Sequence, residues 1–166
     1  MNTDNELKKA WLMRYLHAKR RKNEADDELD QICTPGSRAI IYSDMPHGSP
    51  DLTGIESIAI RAELQLDELR KATTVCMDTR DEVRKAIDAL PSETEQLVMY
   101  YRYMCFQQSQ YEREHRREGT RQLSWDEIAE RMDYSYGRVT HIHGDALNHL
   151  QIPEAWMLAR LGKSKY

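Results

Sequence analysis

The stretch Asp133-Tyr134-Ser135-Tyr136-Gly137-Arg138-Val139-Thr140-His141-Ile142-His143-Gly144-Asp145-Ala146-Leu147 gathers the side chains of this chain most able to do chemistry. Two histidines and an aspartate raise a metal site first. His141 and His143 stand two residues apart, about 200° around a helix, so they do not close on one ion. His141 and Asp145 share a face at i, i+4, but nothing nearby completes a coordination sphere. No Ser/His/acid or Cys/His pair has recognisable context, and no glycine-rich phosphate loop occurs. No metal, cofactor or catalytic residue is therefore expected. What remains is a hydrogen-bonding helix face. With Val139, Ile142, Ala146, Leu147 and Leu150 inward, Tyr136, Gly137, Arg138, Thr140, His141, Gly144 and Asn148 point outward. Arg reads guanine edges, Asn reads adenine, and Thr meets a phosphate or a thymine methyl. Such a face suits a helix lying in the major groove of double-stranded DNA. A purely structural helical hairpin is the plain alternative.

The elements around it must hold that helix. Ser124 and Glu127 form a capping-box pattern opening a helix with Trp125, Ile128, Ala129 and Met132 apolar. Asp133-Tyr134 break it, and Ser135 is placed to cap the next helix. Two helices joined by a short turn, with the small Ala129 at their closest approach, make a helix-turn-helix layout. Asp133 stands where a glycine is usual, and Asp tolerates the left-handed backbone better than most residues.

Upstream, the Thr3/Glu6, Thr53/Glu56 and Ser92/Glu95 pairs repeat the capping-box signal. The first opens one long helix whose seam steps through Trp11, Tyr15, Ala18, Lys22, Ala25, Leu29 and Ile32. The second opens another, with Ala62, Leu66, Leu69, Thr73, Cys76, Arg80, Val83, Ile87 and Leu90 in its seam. Alternating steps of 4 and 3 predict an antiparallel coiled-coil hairpin over 3–90, with an irregular loop at 34–53. A domain over 92–151 follows. Its first helix puts Leu97, Val98, Tyr101, Met104 and Cys105 on one face, and no segment alternates like a strand. The polar insert 107–121 reads equally as a solvated linker or as a helical extension laying Arg116, Arg117 and Arg121 on phosphates. A tail at 152–166 holds one short amphipathic stretch, Glu154 to Gly162, that packs back or meets a partner. The fold class is all-α.

Of 166 residues, 40% are hydrophobic and 31% charged, with a single Phe, a composition suited to helices with long solvated faces. The net charge of −4 argues against DNA binding by bulk charge, so positive charge must be concentrated locally or affinity borrowed from a partner. Cys33, Cys76 and Cys105 are odd in number and far apart, which fits small core residues in a reducing compartment. No apolar run is long enough for a membrane span, and the start of the chain lacks the pattern of a secretory signal. A cytoplasmic location is expected.

The stretches IDALPSETEQLVMYYRY and LSWDEIAERMDYSYGRVTHIHGDALNHL resemble region 4 of the sigma-70 group. Residues 10–150, with SDMPHG at Ser43 to Gly48, more closely resemble small phage-encoded late-gene regulators of the RinA/ArpU type. The resemblance implies a cytoplasmic transcription regulator of phage or prophage genes. It implies binding to promoter DNA, with bacterial RNA polymerase as a further partner; the hairpin itself is read as supplying either dimerisation or polymerase contact. Ser135, Tyr136, Arg138, Thr140 and His141 would face DNA. The 107–121 insert separates two helices that lie closer in those relatives, and Arg138 alone is basic on the outward face, so weak intrinsic affinity is expected. Two other classes compete: a ring-forming small-terminase-like packaging protein, and a module that engages polymerase or sigma factor without touching DNA.

Overall fold

Trp11, Leu12 and Tyr15 are almost entirely withdrawn from solvent, and the chain folds around them. The computed structural model describes residues 3–34 and 52–162. The one long helix expected at the start is interrupted at Met13, giving α1 (Thr3–Leu12) and α2 (Arg14–Cys33). Helical hydrogen bonding runs on through the interruption: Met13 donates to the Lys9 carbonyl at 3.0 Å and accepts from His17 at 3.1 Å. The next helix, α3 (Leu52–Asp88), lies along α2. Gln65 Nε2 donates to the Ala25 carbonyl near one end, and Arg14 pairs with Glu82 near the other, so the two run antiparallel.

The buried side of α3 holds Cys76, Val83 and Ile87 as its apolar spacing requires, and Leu90, just past the end of the helix, is buried with them. Arg80 does not join them. It is exposed and pairs with Asp81, while Thr79 takes the buried place and satisfies its hydroxyl on the Val75 carbonyl. Burying an unpaired guanidinium is costly, whereas a threonine hydroxyl is satisfied by the helix backbone. Lys22 leans off the α2 seam to reach Glu118 at 2.6 Å. Cys76 is the core cysteine. Cys33 is exposed and Cys105 half-buried, so the expectation of small core residues holds for one of the three.

After a tight turn, α4 (Glu93–Tyr103) packs against both α3 and the helices beyond. Its burial therefore splits. Met99 and Tyr103 join the Trp11 cluster, while Val98, Tyr101 and Cys105 face a second cluster built from Leu123, Ile128, Ala129 and Val139. Leu97, expected on the buried face, is 44% exposed. Ser92 occupies the N-cap position, but its side chain makes no capping bond. Glu95 is drawn instead onto His149 Nδ1, within 3.1 Å through both carboxylate oxygens. The Thr3 and Thr53 side chains, and the loop with SDMPHG, lie outside what is described; α1 and α3 already include those threonines.

The insert is folded. β1 (Phe106–Gln107) pairs antiparallel with β2 (Arg121–Gln122), Phe106 opposite Gln122, and the one-turn helix α5 (Gln110–Glu114) sits between them. These two-residue strands correct the strand-free expectation, being too short to show alternation. Three further helices follow, α6 (Trp125–Met132), α7 (Tyr136–His149) and α8 (Glu154–Gly162). Trp156 and Met157 of α8 pack back onto the Trp11 cluster while Leu158 stays exposed. That cluster also takes Ala146, Leu147, Leu150 and Ile152, so one core crosses the boundary expected at 90–92. Each such large apolar side chain contributes about 1.5–3 kcal/mol on burial. The fold is helical among the described residues apart from one short strand pair. Among the described residues no helix is long and apolar enough to cross a membrane.

Candidate nucleic-acid interface

Two caps and a left-handed residue set the geometry of α6 and α7. The Ser124 hydroxyl accepts from Glu127 N–H while the Glu127 carboxylate accepts from Ser124 N–H at 2.7 Å, completing the capping box. That N–H and the Arg121 guanidinium hold the Glu127 carboxyl down at about 2. At the other end Asp133 takes φ 54°, ψ 43°, the left-handed backbone anticipated for the turn. Its N–H reaches the Glu130 carbonyl, and Tyr134 N–H reaches that of Ala129 at 2.9 Å, which closes α6 with a Schellman motif. Ser135 then accepts from Arg138 N–H at 3.3 Å and starts α7. Such a cap is worth about 1 kcal/mol.

The outward face of α7 is largely the anticipated one. Ser135, Tyr136, Gly137, Arg138 and His141 are exposed, and Gly137 and Gly144 open onto empty space. The Arg138 guanidinium carbon lies 4.1 Å from the centre of the Tyr134 ring, and Arg138 makes no ion pair among the described residues. A guanidinium stacked this way keeps its edge donors free while its orientation is fixed. Thr140 is half-buried and donates its hydroxyl to the Tyr136 and Gly137 carbonyls, leaving only its methyl and lone pairs to a partner. His141 is almost fully exposed and approaches Asp145 at 3.5 Å. Asn148 is exposed but far down the helix, where its Oδ1 accepts from Asn5 Nδ2 of α1 at 3.4 Å. It stands apart from the Tyr136–Arg138–His141 group.

His143 belongs to the interior. Its ring is 6% exposed, its Nε2 lies 3.0 Å from the Tyr103 hydroxyl, and Trp125 packs on it at 4.7 Å. Burial, with the positive charges of Lys9 and Arg102, pushes its pKa down to about 4, so the ring is neutral near pH 7. It fixes α7 against α4 and α6. The sequence carried the signal: His143 falls on the inward stripe between Val139 and Ala146.

The insert arginines divide sharply. Arg117 is 7% exposed and turns onto α2, where Asp26, Asp27 and Asp30 surround its guanidinium. Glu118 beside it takes Lys19 and Lys22, and its backbone carbonyl takes Asn23 Nδ2. These contacts clamp the lobe to α2 and occupy the guanidinium of Arg117, which was expected on a phosphate, with three carboxylates instead. Arg121 is exposed but paired with Glu127 at 2.8 Å. Arg116 is exposed and, like Arg113, unpaired among the described residues. Sequence reasoning missed this clamp because its acids and its arginine stand nearly ninety residues apart with no shared period.

Among the described residues no group of three or more His, Cys, Asp or Glu side chains could hold a metal ion. Comparison with protein-family models, with curated proteins and with solved structures finds no match for this chain.

Proposed function

We propose that the chain is a sequence-reading DNA-binding protein in which α6 and α7 work as a helix-turn-helix pair. The observation that carries the reading is the exposed start of α7, where Tyr136, Arg138 and His141 follow a left-handed turn and Tyr134 holds the arginine in place. Residues at the start of a recognition helix meet base edges in the major groove, and a planar arginine meets guanine O6 and N7 together. The α2–α3 hairpin then serves as scaffold, coupled to the reading helix through the shared core. The resemblance to sigma region 4 and to phage late-gene regulators extends the reading to transcription control at phage or prophage promoters, alongside bacterial RNA polymerase. Free cations near α7 are few, so affinity for any duplex is modest and specificity rests on a small number of contacts.

Binding-site selection from random duplexes tests this, followed by titration of the winner and a scrambled duplex at low and physiological salt. A selected motif whose binding survives added salt better than the scrambled duplex supports a reading helix. No enrichment would overturn it. A second reading is favoured by exposed apolar side chains on α3, Ile60, Leu64 and Val75 among them. These suit a protein partner: a ring of copies, as in a packaging protein, or a polymerase-binding module. Mass in solution separates the ring from a monomer or dimer.

A further inference from the structure

Only two non-glycine residues among those described have positive φ, Asp133 and Arg116, and both follow the end of a short helix. Around Arg116 the pattern of the α6 terminus is repeated: Arg116 N–H reaches the Arg113 carbonyl at 3.3 Å, and Arg117 N–H reaches that of Glu112 at 2.6 Å. This is a second Schellman motif, and its left-handed position is one that glycine fills at no steric cost. Asp is among the residues that tolerate the conformation; Arg is not. The chain thus bears a backbone penalty to keep a guanidinium at an exposed corner. Every other charged group that clamps the lobe is engaged: Arg117 with three aspartates, Glu118 with two lysines, Arg121 with Glu127. Arg113 and Arg116 face solvent without an ion pair among the described residues, beside Tyr111 and His115, whose rings stack at 4.0 Å with Tyr111 half exposed. The lobe is tied to α2 through Arg117, and its strand β2 leads directly into the capping box of α6, the first helix of the proposed reading pair.

We propose that this lobe is a phosphate-contacting arm, with Arg116 and Arg113 meeting the sugar–phosphate backbone of duplex DNA beside the site that α7 reads. The inference rests on the DNA-reading function proposed above. It places the missing positive charge of an acidic protein at one corner, where rigid presentation replaces bulk charge.

The test uses the full chain and two duplexes carrying the selected motif, one with long flanks and one trimmed to the motif, with a scrambled flanked duplex as control. Arg116→Gly is the informative variant because it removes the charge while relieving the backbone. Its melting temperature rises by about 2 °C. On both flanked duplexes, the slope of log affinity against log salt falls by about 0.9, one phosphate contact, whatever their sequence. On the trimmed duplex the slope does not change. Arg113→Gln behaves alike in binding without the gain in stability. If the native chain selects a motif but both variants keep its slope on the flanked duplex, the arm is refuted and the reading helix stands. If the native chain selects no motif, the reading and the arm fall together.

Discussion

Acidification will loosen this protein through His143 well before its carboxylates are titrated. The ring lies between Tyr103 and Trp125, near the positive charges of Lys9 and Arg102, and its pKa is lowered from 6.5 to about 4. A histidine that is harder to protonate when folded gives stability that is full above its unfolded pKa and drains away as pH falls towards its folded one. The window therefore opens near pH 6.5 and closes near pH 4. With about 1.36 kcal/mol for each tenfold difference in proton affinity, the loss from this group is about 1.4 kcal/mol by pH 5.5 and about 2.5 kcal/mol by pH 4.5. Glu112, Glu118 and Glu127, all held below the usual carboxylate range, add their own losses only at lower pH. Urea unfolding at pH 7.5, 6.5, 5.5 and 4.5 reads the effect, with His143→Gln as the subtraction. The variant is less stable at pH 7.5 but its stability changes much less between pH 6.5 and 4.5. A native chain whose stability is flat across that window, or a variant that keeps the same acid slope, would refute the assignment of His143 as a buried neutral anchor.

Arg138→Ala is expected to weaken binding to the selected duplex by about 1–3 kcal/mol and relax preference at one base pair, read by repeating the selection with the variant; an equal loss on every sequence would mean a phosphate contact. Asp133→Gly should stabilise the chain by about 0.5–1 kcal/mol in urea unfolding, because the left-handed backbone is free to glycine. Gly119→Ala should cost about 1–3 kcal/mol, since its Cβ would stand 2.6 Å from the Gln107 carbonyl carbon and 2.8 Å from Gln108 N, both backbone atoms that cannot swing aside.

The parts of this fold that were legible share one property: their signal is local. Ser124/Glu127, the Asp133 turn and the Ser135 cap each complete within a few residues, and each forms as read. The seams of α2 and α3 were legible for the same reason, period by period, until a residue had a choice of neighbours, as at Arg80 and Thr79. Ser92 and Glu95 had the same spacing as Ser124 and Glu127 but a different outcome, because His149, fifty-four residues later, competes for the carboxylate. Most of the insert was opaque. Its strands are two residues long, its helix one turn, and Arg117 is placed by aspartates on α2 that no periodicity links to it. Its capping box, Ser109 with Glu112, was there to be found. At the candidate interface the exposed face was readable from helical spacing. The partition of Arg116, Arg117 and Arg121 into unpaired, buried and paired was not, since tertiary distance decides it.

One contact carries a consequence for how the molecule comes into being. Lys8 of α1 is buried, bridges to Asp4, and donates at 2.9 Å to the Leu147 carbonyl near the end of α7, across 139 residues of sequence. On the ribosome α1 therefore waits through the synthesis of 139 further residues before this part of its docking surface exists. Until α7 emerges, the Trp11–Leu12–Tyr15 surface lacks part of its cover, and α7 lacks a donor for an orphan carbonyl. Completion of this core is a long-range closure that waits on α7, and a chain interrupted before Leu147 would leave α1 exposed to aggregation.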